Sequence, residues 1–461
     1  MTSIDLFALS AQKAPLATAT RLLLEQSLAP AVLDELFDKT AEEQYTRRVL
    51  FSDMVALMGT IVQRMHRSVH AAFKKSALPA KISMTSFYAK LNGIEPNVSA
   101  AFVSDHAFRM KAIADQLQAP LPALIDGYSS RIIDGNAIAA SEHRLEVLRD
   151  LRSGPLPGKS LVILDFERDL VTDIIPCEDG HAQERSLFTS LLAQVHEREL
   201  WIADRNFCTS GFLTGIVERK AAFLIREHRG IPLTENGPFA IISQVEKTVL
   251  QEQDVLITSS SGTITARRIW LTLPRPTRDG DREILILTTI PKEIADAQRI
   301  MDTYRKRWTI ETMFANLTVS LRCEVSGLGH PRAALFAFAT ALVAANTLST
   351  IRTAIRAQHG IEVEDRVSIY QMVDDLQGTY KGLEFFDDLV DWTVYSGLPS
   401  HEFTELLSSV IQKMDLRRYP KAKKQKRRPK RVRGSAEDPP HVSTFRLLEE
   451  KKRKKREQAG K

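Results

Sequence analysis

Arg131-Ile132-Ile133-Asp134-Gly135-Asn136 is an apolar, β-branched run that ends on an acid and a turn dipeptide. It reads as a strand that stops at Asp134. Two more strands follow at 160–166 (SLVILDF) and 170–175 (LVTDII), with charged residues between them that suit a hairpin. Residues 181–196 carry apolar side chains at helical spacing, and 200–203 form a short buried strand that ends at Asp204. A helix at 210–220 and a strand at 222–226 come next. The order strand, strand, strand, helix, strand, helix, strand predicts an α/β fold, a mixed sheet with helices packed on it.

Outward from this core the texture changes. Residues 255–259, 263–273 and 283–289 alternate or run β-branched, with turn signals at Ser260-Ser261-Gly262 and Arg278-Asp279-Gly280. No helical pattern intervenes, so 241–290 is expected to be a small antiparallel β subdomain inserted into the α/β domain of 126–240 and 291–330. Residues 1–125 read as helical, with helices at 18–26, 30–37 and 52–70. In 83–93, Ser83 suits an N-cap and Gly93 a stop. There Phe87 and Leu91 are expected to pack inward, while Thr85, Ser86 and Lys90 face a groove, the pattern of a DNA-reading helix. Many short amphipathic helices look the same. Residues 331–416 are again helical.

The chain's net charge of +6 hides a division. Residues 417–461 hold 19 Lys/Arg and 5 Asp/Glu, a net of +14, which leaves −8 for 1–416. Such a tail neutralises phosphates and releases counterions, so it predicts salt-dependent nucleic-acid affinity. The plainer alternative is a solvated, disordered end. The three cysteines lack the spacing of a disulfide framework or zinc site, which predicts a reducing, cytoplasmic setting. The first residues show no basic stretch leading into an apolar one, so no secretory signal is expected. The longest apolar stretch, 333–351, is broken by Thr340, Asn346, Thr347, Ser349 and Thr350 and reads as a buried helix, not a membrane span.

The chemistry concentrates in Tyr304-Arg305-Lys306-Arg307-Trp308-Thr309-Ile310-Glu311, on a helix expected from about 292 to 317. Tyr304, Arg307 and Glu311 are spaced i, i+3, i+7 and so share one face. Aromatic, guanidinium and carboxylate on one stripe suit a surface that holds a metal ion beside a phosphate. Two-metal phosphodiester chemistry needs acidic oxygen ligands around a pair of Mg²⁺ or Mn²⁺ ions. Asp134, Asp204 and Glu311 are the candidates, both as metal ligands and as catalytic residues. Each has a bland reading alone: Asp134-Gly135 as a turn, Asp204 as a helix cap, Glu311 as a partner of Arg307. Trp308 and Asp165 are expected to be structural.

These residues carry a resemblance. The chain resembles bacterial insertion-sequence DDE transposases of family four, whose signature is Tyr-x2-Arg-x3-Glu-x6-Lys. Tyr304, Arg307 and Glu311 match it, as do the surroundings of Asp204 (Trp201 to Thr209) and Asp134 (Ile133 to Asn136). His181-Ala182-Gln183-Glu184-Arg185 and Phe223-Leu224-Ile225-Arg226 add similar texture. The resemblance covers about 125–350. It implies a ribonuclease H-like core with a β-rich insertion, and a dimer that cuts its element's terminal inverted repeats. The 3′-OH ends are then joined to target DNA, by cut-and-paste, with hairpin ends as one route. The signature lysine falls at Thr318 here. Threonine can still hydrogen-bond a phosphate, and Lys306 or Arg322 could supply the charge from other helical phases. Thr318, Tyr304, Arg307, Lys90, Thr85 and Ser86 are the expected DNA contacts. The rivals are a hydrolysis-only nuclease of the same fold and a catalytically silent, transposase-derived DNA-binding protein. No membrane partner is expected.

Overall fold

The computed structural model describes residues 3–44, 48–80, 82–138, 157–277, 280–325, 327–384 and 390–421. Arg278-Asp279 and the basic tail beyond Lys421 lie outside these residues. The strands are β1 (Ser129–Ile138), β2 (Gly158–Asp165), β3 (Leu170–Cys177), β4 (Glu199–Ala203) and β5 (Ala222–Arg226). They are followed by β6 (Leu233–Glu235), β7 (Ala240–Val245), β8 (Thr248–Ser259), β9 (Gly262–Thr272) and β10 (Glu283–Thr288). They form one mixed sheet in the order β3-β2-β1-β4-β5-β10-β9-β8-β6, with β7 pairing on β8. β1, β2 and β3 are antiparallel neighbours, whereas β4 and β5 continue from β1 in parallel.

The sequence and the fold differ at two places in the sheet. The chain does not turn at Asp134-Gly135. β1 continues to Ile138 because Asp134, Gly135 and Asn136 find partners in Val162, Leu161 and Ser160. The β-rich segment pairs antiparallel as expected, yet it is not a sheet of its own. Leu287 of β10 pairs with Ile225 of β5, so these strands extend the main sheet.

The helices are α1 (Ser3–Lys13), α2 (Pro15–Ser27), α3 (Pro30–Thr40), α4 (Phe51–Val62), α5 (Val69–Lys75), α6 (Met84–Leu91) and α7 (Pro96–Gln116). Within the sheet region lie α8 (Phe188–Leu192) and α9 (Ser210–Glu218). After it come α10 (Ala297–Arg305), α11 (Trp308–Val319), α12 (Pro331–His359), α13 (Ile361–Glu364), α14 (Ile369–Glu384) and α15 (Ser400–Ile411). Three expected helices are shorter or split. The 181–196 helix shrinks to α8, preceded by a 3₁₀ turn at Glu184–Leu187. The 52–70 helix ends at Val62 and resumes as α5. The helix of 292–317 starts later, with Asp296 capping the Arg299 N–H at 2.7 Å, and breaks between α10 and α11.

Alternate residues of the central strands bury on opposite sides of the sheet. Ile132, Val162, Leu164, Leu200, Ile202 and Leu224 join the core shared with α7, α11 and α12. Ile133, Leu161, Ile163, Trp201, Ala203 and Phe223 join a second core under α8 and α9. In α12, 83% of the most apolar window is buried within the molecule, which suits a core helix.

Asn346 explains one polar interruption of that helix. It is 1% exposed. Its Oδ1 accepts from the Val171 N–H, and its Nδ2 donates to the Val171 carbonyl, both at 2.8 Å. The side chain completes the outer edge of β3, where two backbone groups would otherwise be buried alone. Asn346→Leu is therefore expected to lower stability by about 2–3 kcal/mol, read as a shifted urea midpoint.

Candidate active site

Parallel register is what sets the two aspartates side by side. β1 and β4 pair up to Ile132↔Ile202, and two further steps in that register set Asp134 level with Asp204. Both follow the parity of Ile132 and Ile202, so both belong to the sheet face that carries α11. Asp204 is extended and half-buried, and its Oδ1 accepts from the Asn206 N–H at 2.8 Å. The cap reading and the site reading of Asp204 thus hold together.

The helix break delivers the third acid. At Lys306 and Arg307 the chain tightens into i→i+3 bonds: Lys306 N to Thr303 O at 2.9 Å, and Arg307 N to Tyr304 O at 3.0 Å. The expected straight stripe is kinked there. Arg307 occupies the N-cap position of α11, and Glu311 lies in its first turn, where a carboxylate suits the positive end of the helix. The Arg307 guanidinium spans two acids: Nη2 donates to Glu311 Oε1 at 2.6 Å and Nη1 to Asp134 Oδ2 at 3.4 Å. Its Nε is buried with no hydrogen-bond partner.

Burial pushes the Asp134 carboxyl up to about 6. The charges of Asp204 and Glu311 add to that rise, while Arg307 and the Gly135 N–H oppose it. Burial likewise pushes Tyr304 up to about 12, against the pull of the adjacent Arg307. Tyr304 is 8% exposed and belongs to the core, beside Arg307.

A fourth acid, Glu184, lies near Asp204, and the sequence marks it only as part of the resemblance at His181 to Arg185. Burial and then Asp204 raise its carboxyl, while Lys159 and Asn206 lower it. A Cβ at Gly135 would come within 2.4 Å of Glu184 Oε1, so the glycine leaves room for this side chain. Trp308 is the other surprise. It is 48% exposed, not packed, with the Arg307 guanidinium 5.4 Å from its ring centroid. Asp165, by contrast, is fully buried and held by Arg131 at 2.7 Å and Arg168 at 3.1 Å, as a structural acid.

Thr318 is exposed, two turns beyond Glu311, and its hydroxyl donates to the Phe314 carbonyl at 3.1 Å. In α6, Thr85 and Ser86 are exposed while Phe87 and Leu91 are buried. Lys90 instead turns over the Phe37 ring, 5.4 Å from its centroid. Burial lowers its ammonium, with Asp34, Asp53 and Asp38 pulling it back up.

A cleft of about 490 Å³ with charges of both signs, Glu227, Asp281 and Glu283 among them, includes Arg205, the residue after Asp204. Arg226, His228, Arg229 and Arg282 also line it. Its Asp281 is held below the ordinary carboxylate range, first by its hydrogen bond with Arg226.

Residues 158–346 match the family model of the transposase DDE domain. The match supports a transposase of the DDE class. It spans Asp204, Tyr304, Arg307 and Glu311, while Asp134 lies before it. No curated protein matches the chain. Among solved structures, the chain is similar to a cryo-EM structure of the piggyBac transposase synaptic complex with hairpin DNA. Identity is 11%, the TM-score is 0.37, and 86% of this chain and 85% of that chain are covered. A likeness that loose carries no argument about this chain.

Hard carboxylate oxygens, an acid raised chiefly by burial and a bridging guanidinium make a site whose chemistry suits a divalent cation. Among the described residues no group of three or more His, Cys, Asp or Glu is arranged to hold a metal ion. In this arrangement Arg307 supplies the positive charge between Asp134 and Glu311.

Proposed function

We propose that the protein is a DNA transposase of the insertion-sequence type, similar to family four, with a ribonuclease H-like core. It binds element ends, cuts phosphodiester bonds there and joins the 3′-OH ends to target DNA by a cut-and-paste route, as a dimer on DNA. The observation that carries this reading is the Asp134–Arg307–Glu311 bridge, on the sheet face where register sets Asp134 level with Asp204. The strand order β3-β2-β1-β4-β5, with β4 and β5 parallel to β1, supports the ribonuclease H-like core.

Asp134, Asp204 and Glu311 would hold two Mg²⁺ or Mn²⁺ ions. Bound there, the ions supply an activated oxygen nucleophile and neutralise charge on the leaving oxygen. Arg307 orients Glu311 in their absence and would grip a phosphate oxygen when they are bound. The Tyr304 hydroxyl stays protonated and donates. The Arg205–Arg282 cleft guides the DNA backbone, and exposed Trp308 offers a stacking face to a base. Residues 1–125 and the basic tail add DNA affinity, with Thr85 and Ser86 on the exposed face of α6.

The guanidinium bridge also favours a second reading, a silent DNA-binding protein in which Arg307 permanently takes the cation's place. One experiment separates the readings. Purified protein is given a pre-cut element end, target DNA and Mg²⁺ or Mn²⁺. Strand transfer that is lost in Asp204→Ala supports the transposase. Metal-dependent cutting without joining supports a nuclease. DNA binding with neither reaction supports the silent binder.

A further inference from the structure

The turn after α4 breaks a helix where the sequence holds no helix breaker. The Met65 N–H reaches the Thr60 carbonyl at 2.9 Å, and the Arg64 N–H reaches Ile61 at 3.0 Å. This pair of bonds is a Schellman closure, and it puts its left-handed residue at position 64. Glycine usually fills that place. Here it is arginine, at φ +62°. Lys220 closes α9 with the same pair of bonds, so the left-handed conformation alone marks no special role, and what sets Arg64 apart is where its side chain goes.

That side chain reaches the end of the active-site helix. Arg64 Nη2 donates to the Thr318 carbonyl at 3.2 Å. Arg322 closes the same junction from the other side. Its backbone N–H donates to Val62 O at 2.8 Å, and its Nη1 donates to the carbonyls of His66 at 3.2 Å and Arg67 at 2.8 Å. The Arg64 and Arg322 side chains therefore meet at α11's C-terminus, and the charge of Arg67 is felt at Arg322. Arg64 and Arg67 are exposed, and among the described residues no carboxylate is paired with any of the three. Burial, then the like charges of Arg64 and Arg67, hold Arg322 below its ordinary value.

Helix C-terminal capping explains the Arg64 contact with Thr318, and stapling explains Arg322. Neither explains why the exposed Arg67 adds a further like charge beside Arg322. A polyanion does. We propose that Arg64, Arg67 and Arg322 clamp the phosphodiester backbone of the DNA whose cleavage is assigned above to Asp134, Asp204 and Glu311. This inference rests on that functional reading. Thr318 follows Glu311 by seven residues on one helix face, a rise of about 10 Å. With about 3.4 Å of rise per nucleotide of a strand, the clamp meets phosphates about three nucleotides from the cut. The N-terminal helical region then contributes to the active site directly, through the turn after α4.

The test is duplex-DNA affinity of the full chain across a NaCl series, for wild type, R64G/R67Q and R64K/R67K. Each lost phosphate contact makes the slope of log K against log [salt] shallower by about 0.9. The expected result is a slope shallower by about 2 in R64G/R67Q, recovered in R64K/R67K. An unfolding midpoint is measured alongside. An R64G/R67Q slope equal to wild type overturns the clamp, whatever the midpoint does, and a lowered midpoint then marks a purely structural turn. If wild type still cuts DNA in that case, the transposase reading survives alone. If wild type shows no salt-dependent DNA binding and no cleavage, both fall.

Discussion

Asp134→Asn is expected to be more stable than wild type at pH 8 and unable to cleave DNA. The folded protein raises this carboxyl from 3.8 to about 6. An acid raised in the folded state contributes stability that is present below its unfolded value and lost as pH rises through about 6. Above that, ionised Asp134 faces desolvation and the charges of Asp204 and Glu311. A shift of about two units corresponds to on the order of 2–3 kcal/mol. Urea unfolding with divalent ions chelated, at pH 5 and pH 8, reads about half of it, because the loss already begins at the unfolded value of 3.8. Wild type should gain stability on acidification, and the Asn variant should lose most of that gain and exceed wild type at pH 8. Asp173, Glu167 and Glu184 are also raised, so the quantity that counts is the difference between the two proteins. If the difference is flat between the two pH values, the carboxylate is not under the stated repulsion. Cleavage should drop by about 10³-fold or more, since a lost metal ligand removes several kcal/mol at about 1.4 kcal/mol per tenfold.

Arg307→Ala should act in the opposite sense on stability. It leaves Asp134 and Glu311 facing each other without the cation that bridges them. Breaking a fully buried pair costs about 3–5 kcal/mol, but the Glu311 side chain is 35% exposed, so about 2 kcal/mol at pH 8 is expected. The loss should shrink toward pH 5 as Asp134 protonates. Adding Mg²⁺ should restore it, because a ligand at 100 times its Kd contributes about 2.7 kcal/mol. Thermal unfolding of both proteins with and without Mg²⁺ decides the matter. Stabilisation larger in the variant than in wild type means that Arg307 and the ion compete for one place. No Mg²⁺ effect in either protein removes the cation site from the proposal and leaves the silent binder.

Much of the sheet was legible because β-branched runs bounded by charges have few alternatives. β2, β3, β4 and β5 lie where the apolar runs do. The limit of β1 was not legible, since Asp-Gly is a turn signal only when no neighbouring strand takes up its backbone groups. The kink between α10 and α11 and the left-handed Arg64 lacked a glycine or proline to announce them. Tryptophan usually packs, whereas Trp308, at the start of α11, is exposed. Lys90 looked free to meet a groove until Phe37, distant in the chain, was seen beneath it.

By itself the sequence determined which side chains carry charge, which faces bury, and that Arg307 and Glu311 are helix neighbours, because those relations extend over one or two turns. Only the tertiary structure decided that Asp134 pairs with that arginine 173 residues away, that Asp204 lies level with it, and that Arg64 meets Thr318. Such meetings depend on strand register and on where a helix bends. Those are set by the summed packing of the whole sheet and its helices, which no local window of residues contains.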